Sequence, residues 1–137
     1  LIAVAIIGIA VVAIVAGMAT AITASDANRK QARAETLLRN FAEALTDPAV
    51  GYVDCATPAS YTTSPPGFSV PAGFSVSIVA VRYWNGTTPA AFTSTCGSPD
   101  TGIQHLTIRV TSSDLRADKT LGFVKRREGV TTTVLGP

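Results

Sequence analysis

Leu1 to Ser25 reads LIAVAIIGIAVVAIVAGMATAITAS, a run in which no residue is charged and nearly all are aliphatic or small. At 1.5 Å per residue, a helix of about 20 apolar residues crosses a bilayer core of roughly 30 Å, so this run is long enough to span. A secretory leader fits it less well, because that needs a basic start, a shorter apolar core and a small-residue cleavage site. The next stretch, DANRKQARAETLLRNFAEAL from Asp26 to Leu45, keeps good helix formers and contains neither Pro nor Gly. One continuous helix from Leu1 to about Leu45 is predicted, on the order of 65 to 70 Å long.

The two lengths of that helix differ in periodicity. Residues 1–25 are apolar all round, which calls for burial on every side, in lipid or among other helices. From Asp26 the helix turns amphipathic. Leu37, Leu38, Phe41, Ala42 and Leu45 make one stripe, and Arg29, Lys30, Arg33, Glu35, Arg39 and Glu43 mostly take the other faces. Residues 26–45 should therefore lie on a folded domain from which the first part projects.

An apolar N-terminal segment with the core Ala5, Ile6, Ile7, Gly8, Ile9, running unbroken into an amphipathic half and then a small β-rich head, resembles the type IV pilins and pseudopilins. The resemblance covers Leu1 to about Leu45 well and the head only in general plan. It implies a subunit held in the inner membrane before assembly and handled by a pilus assembly machinery. The apolar helices of identical subunits then pack into the spine of an extracellular filament. Leu1, Ile2, Val4, Ile6, Ile7, Ile9, Val11, Val12, Ile14 and Val15 would be the spine residues.

Two features depart from the family pattern. Family members begin with an aromatic residue or Met and a short segment containing a Glu ahead of the apolar run. Alignment on Gly8 puts about six residues before Leu1, so that Glu has no counterpart here. Many relatives also carry a Pro within the helix, whereas the first Pro here is Pro48. Gly8 and Gly17 are the intrinsic weak points, each costing about 1 kcal/mol relative to Ala. They either mark where the spine melts on assembly or let helices approach closely.

The 137 residues, 47% hydrophobic, suit one domain plus an anchor, with residues 1–25 as the rod and 26–137 as the head. Net charge is +2 with 15% charged residues and no acidic or basic tail, so a nucleic-acid partner is not called for. Cys55 and Cys96 read as a disulfide if the head lies outside the cytoplasm, worth about 4 kcal/mol by loop entropy. Buried free thiols are the alternative. With the lone His105 the cysteines give too few ligands for a metal site, and no cofactor is expected. Arg29, Lys30 and Arg33 just past the apolar run argue for a cytoplasmic head. The cysteines and the Thr/Ser/Pro/Gly composition argue for the cell surface.

Within the head, residues 46–73 read as a loop punctuated by Pro48, Pro58, Pro65, Pro66 and Pro71, with Asp47-Pro48 ending the helix. The sheet should occupy residues 74–137. Phe74 to Trp84 alternates as a strand with Phe74, Val76, Ile78 and Ala80 on one face, set to meet Leu37, Phe41 and Leu45. Asn85-Gly86 reads as a tight turn, and with Thr87 also forms a glycosylation sequon. Ile103 to Val110 is a second strand, with Leu106, Ile108 and Val110 inward and His105, Thr107 and Arg109 outward. Ser112 to Thr120 reads as a polar turn. Leu121 to Arg127 and Val130 to Leu135 then read as a terminal hairpin around Glu128-Gly129. Leu121, Phe123, Val130 and Val134 face in, and Lys125, Arg126 and Arg127 make a solvated edge.

Catalytic signals are thin. There is no Gly-rich phosphate loop, no Cys or His pair at metal spacing and no Ser elbow in the head. Asp54, Asp100, Asp114 and Asp118 fall in predicted loops without calcium-ligand spacing. The expectation is an α+β, non-enzymatic subunit: a long N-terminal helix whose second half packs on an antiparallel sheet of about four strands. A pseudopilin, a minor pilin and a single-span anchored binding domain are the alternatives. The last would need an aromatic platform, for which Tyr83 and Trp84 are the adjacent pair.

Overall fold

A computed structural model describes residues 2–87 and 89–129, and of residues 2, 4 and 5 the backbone alone. Helix α1, Ile2–Thr46, is unbroken over 45 residues. At 1.5 Å per residue that is about 67 Å. It stops where the sequence turns against it. The Asp47 carboxylate accepts from the Ala49 N–H at 2.8 Å and Pro48 follows, an Asx turn replacing the next helical turn.

Four strands form one antiparallel sheet: β1 (Phe74–Trp84), β2 (Phe92–Thr93), β3 (Ile103–Ser112) and β4 (Asp118–Arg126), in the order β2-β1-β3-β4. A short 3-10 turn, Pro58–Ser60, lies in the long loop between α1 and β1. The head is thus an α+β fold with α1 laid across one sheet face. Phe41, Leu45, Leu106, Ile108 and Val110 are fully buried where helix meets sheet. Leu37, Leu38 and Ile78 join this core, and Phe74 and Val76 pack half-buried against it. The Phe41 ring also meets Phe68 of the long loop, centroids 5.0 Å apart.

The phase expected for β1 fails after Ile78. Ile78 pairs with Ile108 but Ala80 pairs with Thr107, so Val79 is an extra, unpaired residue. Such a bulge moves every later side chain to the opposite face. Ala80 therefore sits on the outer side of the sheet, and Val81 and Tyr83 point into the core. The bulge lets β1 place Val81 and Tyr83 over the loop as well as the helix, and the Tyr83 hydroxyl donates to Ala56 O at 2.7 Å.

Three other expectations need correction. Asn85-Gly86 does not make a two-residue turn, because Trp84 pairs with Phe92 across a longer loop. The Asn85 side chain organises that loop, accepting from the N–H groups of Thr87 and Ala91 and donating to Pro89 O. Strand β4 begins at Asp118, before Leu121: its backbone pairs Asp118 with Thr111 and Lys119 with Val110 of β3, and the two side chains also form ion pairs with Arg109 and Glu35. Val130 to Leu135, expected as the last strand, lies outside the described residues. Asp118 itself is a strand residue and not a loop one.

Lys125, expected on a solvated edge, is buried instead. It is only 4% exposed. Its ammonium donates to Leu45 O at 2.5 Å and Val50 O at 2.6 Å, and lies 5.6 Å from the centre of the Tyr61 ring. A helix leaves its last carbonyls unpaired and its C-terminus partly negative, so a cation there is well placed. Burial pushes the Lys125 ammonium below its ordinary pKa, with Asp47 opposing. Arg127 lies over the Tyr52 ring and pairs with Asp54. Lys125→Met keeps the stem but leaves two carbonyls without a donor. Loss of about 2 kcal/mol is expected, read as a lower urea midpoint at unchanged slope. A midpoint within error of the parent would remove Lys125 from the account of the helix end.

Candidate functional site

The apolar length of α1 is the most unusual surface of the molecule. Ile6, Ile7, Ile9, Val11, Val12, Ile14, Val15, Met18 and Ile22 are all exposed, Ile9 at 72% and Ile22 at 71%. At 100° per residue they surround the helix and leave no polar side. Covering one large aliphatic side chain is worth about 1.5 to 3 kcal/mol relative to water, so the rod as a whole holds well over 10 kcal/mol of unspent burial. It is long and apolar enough to cross a membrane. Its hydroxyls suit such a medium: Thr20 donates to Ala16 O and Thr23 to Ala19 O, both at 3.0 Å.

Of the expected spine residues, Leu1 and the side chains of Ile2 and Val4 lie outside what is described. Ile6, Ile7, Ile9, Val11, Val12, Ile14 and Val15 share the exposed rod. Gly8 and Gly17 both sit within the unbroken helix, and a Cβ at either would meet nothing within 4 Å. Among the described residues no contact requires them to be glycine.

Where the rod enters the head, four charged groups form a collar. Lys30 reaches Asp114 at 2.5 Å and Asp26 at 3.0 Å, while Arg116 reaches Asp26 at 3.2 Å and Asp114 at 3.6 Å. Its hydrogen bond to Asp114 and then that to Asp26 raise the Lys30 pKa, and the Asp114 carboxyl is held well below its ordinary range by Lys30 and Ser112. The collar ties the β3–β4 turn to α1. Leu115, at the tip of that turn, has φ of 57° and is 79% exposed.

At the far end, Cys55 and Cys96 are joined by a disulfide with Cα atoms 5.5 Å apart. Behind it lies a polar node that the sequence reading passed over as an ordinary loop carboxylate. Asp100 accepts from Tyr52 Oη at 2.8 Å, from the N–H groups of Cys55 and Gly102 at 2.7 Å, and from Gln104 Nε2 at 3.1 Å. Gln104 is fully buried and passes the chain on, accepting from the Tyr61 hydroxyl at 3.0 Å and donating to Val53 O at 2.9 Å. Cys55 is held at φ of 49°, a left-handed conformation that costs about 1 kcal/mol or more outside glycine. The Asp100 contact compensates for it. The ligand atoms of Cys55, Cys96 and Asp100 lie within 4.8 Å of one another. With both sulfurs bonded to each other, one carboxylate is what remains to a cation.

Burial opposes ionisation of Asp100, and the Cys55, Gly102, Tyr52 and Gln104 donors more than offset it, so its pKa lies below the ordinary value. A carboxyl with a depressed folded-state pKa stabilises the fold above the unfolded value and loses that contribution as pH falls through the folded one. Asp100→Asn, which replaces one acceptor oxygen with an amide NH2 donor, should cost about 1 to 3 kcal/mol at neutral pH. Below about pH 4 the gap to the parent should narrow as the parent's carboxyl protonates. Urea titrations at pH 7 and pH 3 check this; an equal gap at both would show that Asp100 acts without its charge.

The aromatic pair expected as a platform does not share a face, because neighbours in a strand point to opposite sides, and the bulge decides which of the two goes in. Tyr83 is buried, whereas Trp84 turns outward to meet Phe92, centroids 5.2 Å apart, and Phe92 meets His105 at 5.4 Å. His105 lies over Gly122, where a Cβ would come within 2.6 Å of its Nε2. No family model, curated protein or solved structure matches the chain.

Proposed function

We propose that this chain is a structural subunit that polymerises through α1 into an extracellular filament of the type IV pilus kind, as a major pilin. One observation carries the reading: a rod apolar on every side continues, without joint or linker, into the helix that forms the core of its own head. In a membrane, lipid covers the rod. Once it leaves the membrane, copies of the same rod are the surface that matches it. The gain of about 25 cal/mol per Å² applies relative to water, so transfer from lipid to filament draws on helix packing and on the pilus assembly machinery. No catalysed reaction is part of the proposal.

Electron microscopy of native material tests it. Long helical fibres of uniform width containing the chain are expected, and short stacks would indicate a pseudopilin. Protein that stays a dispersed monomer in membranes of its own cell would sink the proposal.

A single-span anchored binding domain is the second reading, and the half-buried row of Trp84, Phe92 and His105 on the outer sheet face favours it. Aromatic faces of this kind suit a sugar ring. Monomeric protein in detergent, retained on polysaccharide and released by Trp84→Ala, would establish that reading.

A further inference from the structure

Among the charges nearest the rod, two guanidinium groups stand apart. Lys30 and Arg116 are compensated within the collar by Asp26 and Asp114. Among the described residues Arg29 and Arg33 have no ion-pair partner, and both are exposed. They are one helical turn apart on one side of α1. Both line a groove of about 470 Å³ between the helix and residues 71–74, walled by Leu37, Pro71 and Phe74 and edged by Thr36 and Asn40.

Their height along the helix decides what they can meet. Arg29 is four residues beyond Ser25, about 6 Å along the axis, and Arg33 about 12 Å. The polar layer of a bilayer extends roughly 5 to 8 Å beyond the hydrocarbon on each side. Helical side chains lean toward the N-terminus, so Arg33 leans down toward the level of Arg29. A guanidinium fork matches the geometry of a phosphate and stays charged at any relevant pH.

We propose that Arg29 and Arg33, at the mouth of this groove, seat the phosphate of an anionic phospholipid from the leaflet next to the head. The two forks take the phosphate oxygens, and the membrane-side mouth of the groove, at Ala32, takes the polar end of the headgroup. This rests on the membrane-embedded stage of the reading above and not on polymerisation. The seat selects anionic lipid around the stored subunit, and an assembling subunit must release it.

The test uses the full chain in nanodiscs of equal phosphatidylglycerol and phosphatidylcholine, with the lipids retained on the protein counted by native mass spectrometry. Phosphatidylglycerol should be enriched, by roughly fivefold for each arginine. Arg29→Gln with Arg33→Gln should bring the ratio near one, and the paired lysine variant should keep part of the enrichment. Arg39→Gln, exposed but about 21 Å beyond Ser25, should change nothing. Near-ultraviolet dichroism shows whether each head is folded. Enrichment that survives the double Gln variant, or falls equally with Arg39→Gln, overturns the proposal. So does a double variant that keeps its lipid but loses fibres, since a second copy would then be the partner. A chain that fails to enter the disc overturns the membrane-embedded reading as well.

Discussion

Val12→Lys is expected to abolish fibres while leaving the head intact. Val12 lies mid-rod and is exposed in the isolated chain. In a packed spine an ammonium there finds no carboxylate among residues 1–25 to pair with. An unpaired charge buried among apolar helices costs about 3 to 5 kcal/mol, and every added subunit bears it. At the centre of a membrane helix the same residue costs about 3 kcal/mol, less than the rest of the apolar run returns, so insertion should persist. Val12 is 14 residues from Asp26, about 21 Å along the axis. The melting temperature of the head should accordingly match the parent's. Fibres of normal length and number from this variant would mean that the rods are not the polymer axis.

Removing the disulfide should produce the largest loss of stability in the head. Cys55 and Cys96 are 41 residues apart in sequence, and closing a loop of that length is worth about 4 kcal/mol in the chain-entropy model. The loop enclosed contains the 3-10 turn and all of β1. In Cys55→Ser with Cys96→Ser, residue 55 keeps its left-handed backbone only through Asp100, so the node and the long loop should loosen together. Urea denaturation should show the loss, and limited proteolysis should cut within residues 46–73 before the sheet. A decrease under 1 kcal/mol would show that the Asp100–Gln104 network holds the loop without the covalent bond.

The long helix was legible because its two lengths each have an unmistakable pattern, apolar all round and then one stripe. Strand β3 was legible for a similar reason: His105, Thr107 and Arg109 interleave with Leu106, Ile108 and Val110, so its phase is unambiguous. The bulge was not, because IVAV over Ile78 to Val81 offers four small apolar residues that fit either face. Strand β2 has two residues, too few for any period. The beginning of β4 pairs Asp118 and Lys119, two charged residues, with Thr111 and Val110 of β3, and such residues leave no hydropathy signal of a strand.

Lys125 and Asp100 were misjudged for one physical reason. Each owes its role to backbone groups distant in sequence: Leu45 O and Val50 O for the lysine, the Cys55 and Gly102 N–H groups for the aspartate. A basic run and an Asp after a Pro look the same with or without those partners. The strict alternation of β4 did place Lys125 in phase with Leu121 and Phe123, and that was the available clue.

The absence of a joint in α1 has a mechanical corollary. A sideways push on the head should not be relieved by swivelling where rod and head meet, because the collar braces that point and the helix continues unbroken through it. In the proposed filament the head would therefore act as a lever on the rod, and bending would be expected first at Gly17 and Gly8, whose helix propensity is lowest. Under flow or tension, those two glycines would be the springs of the assembly.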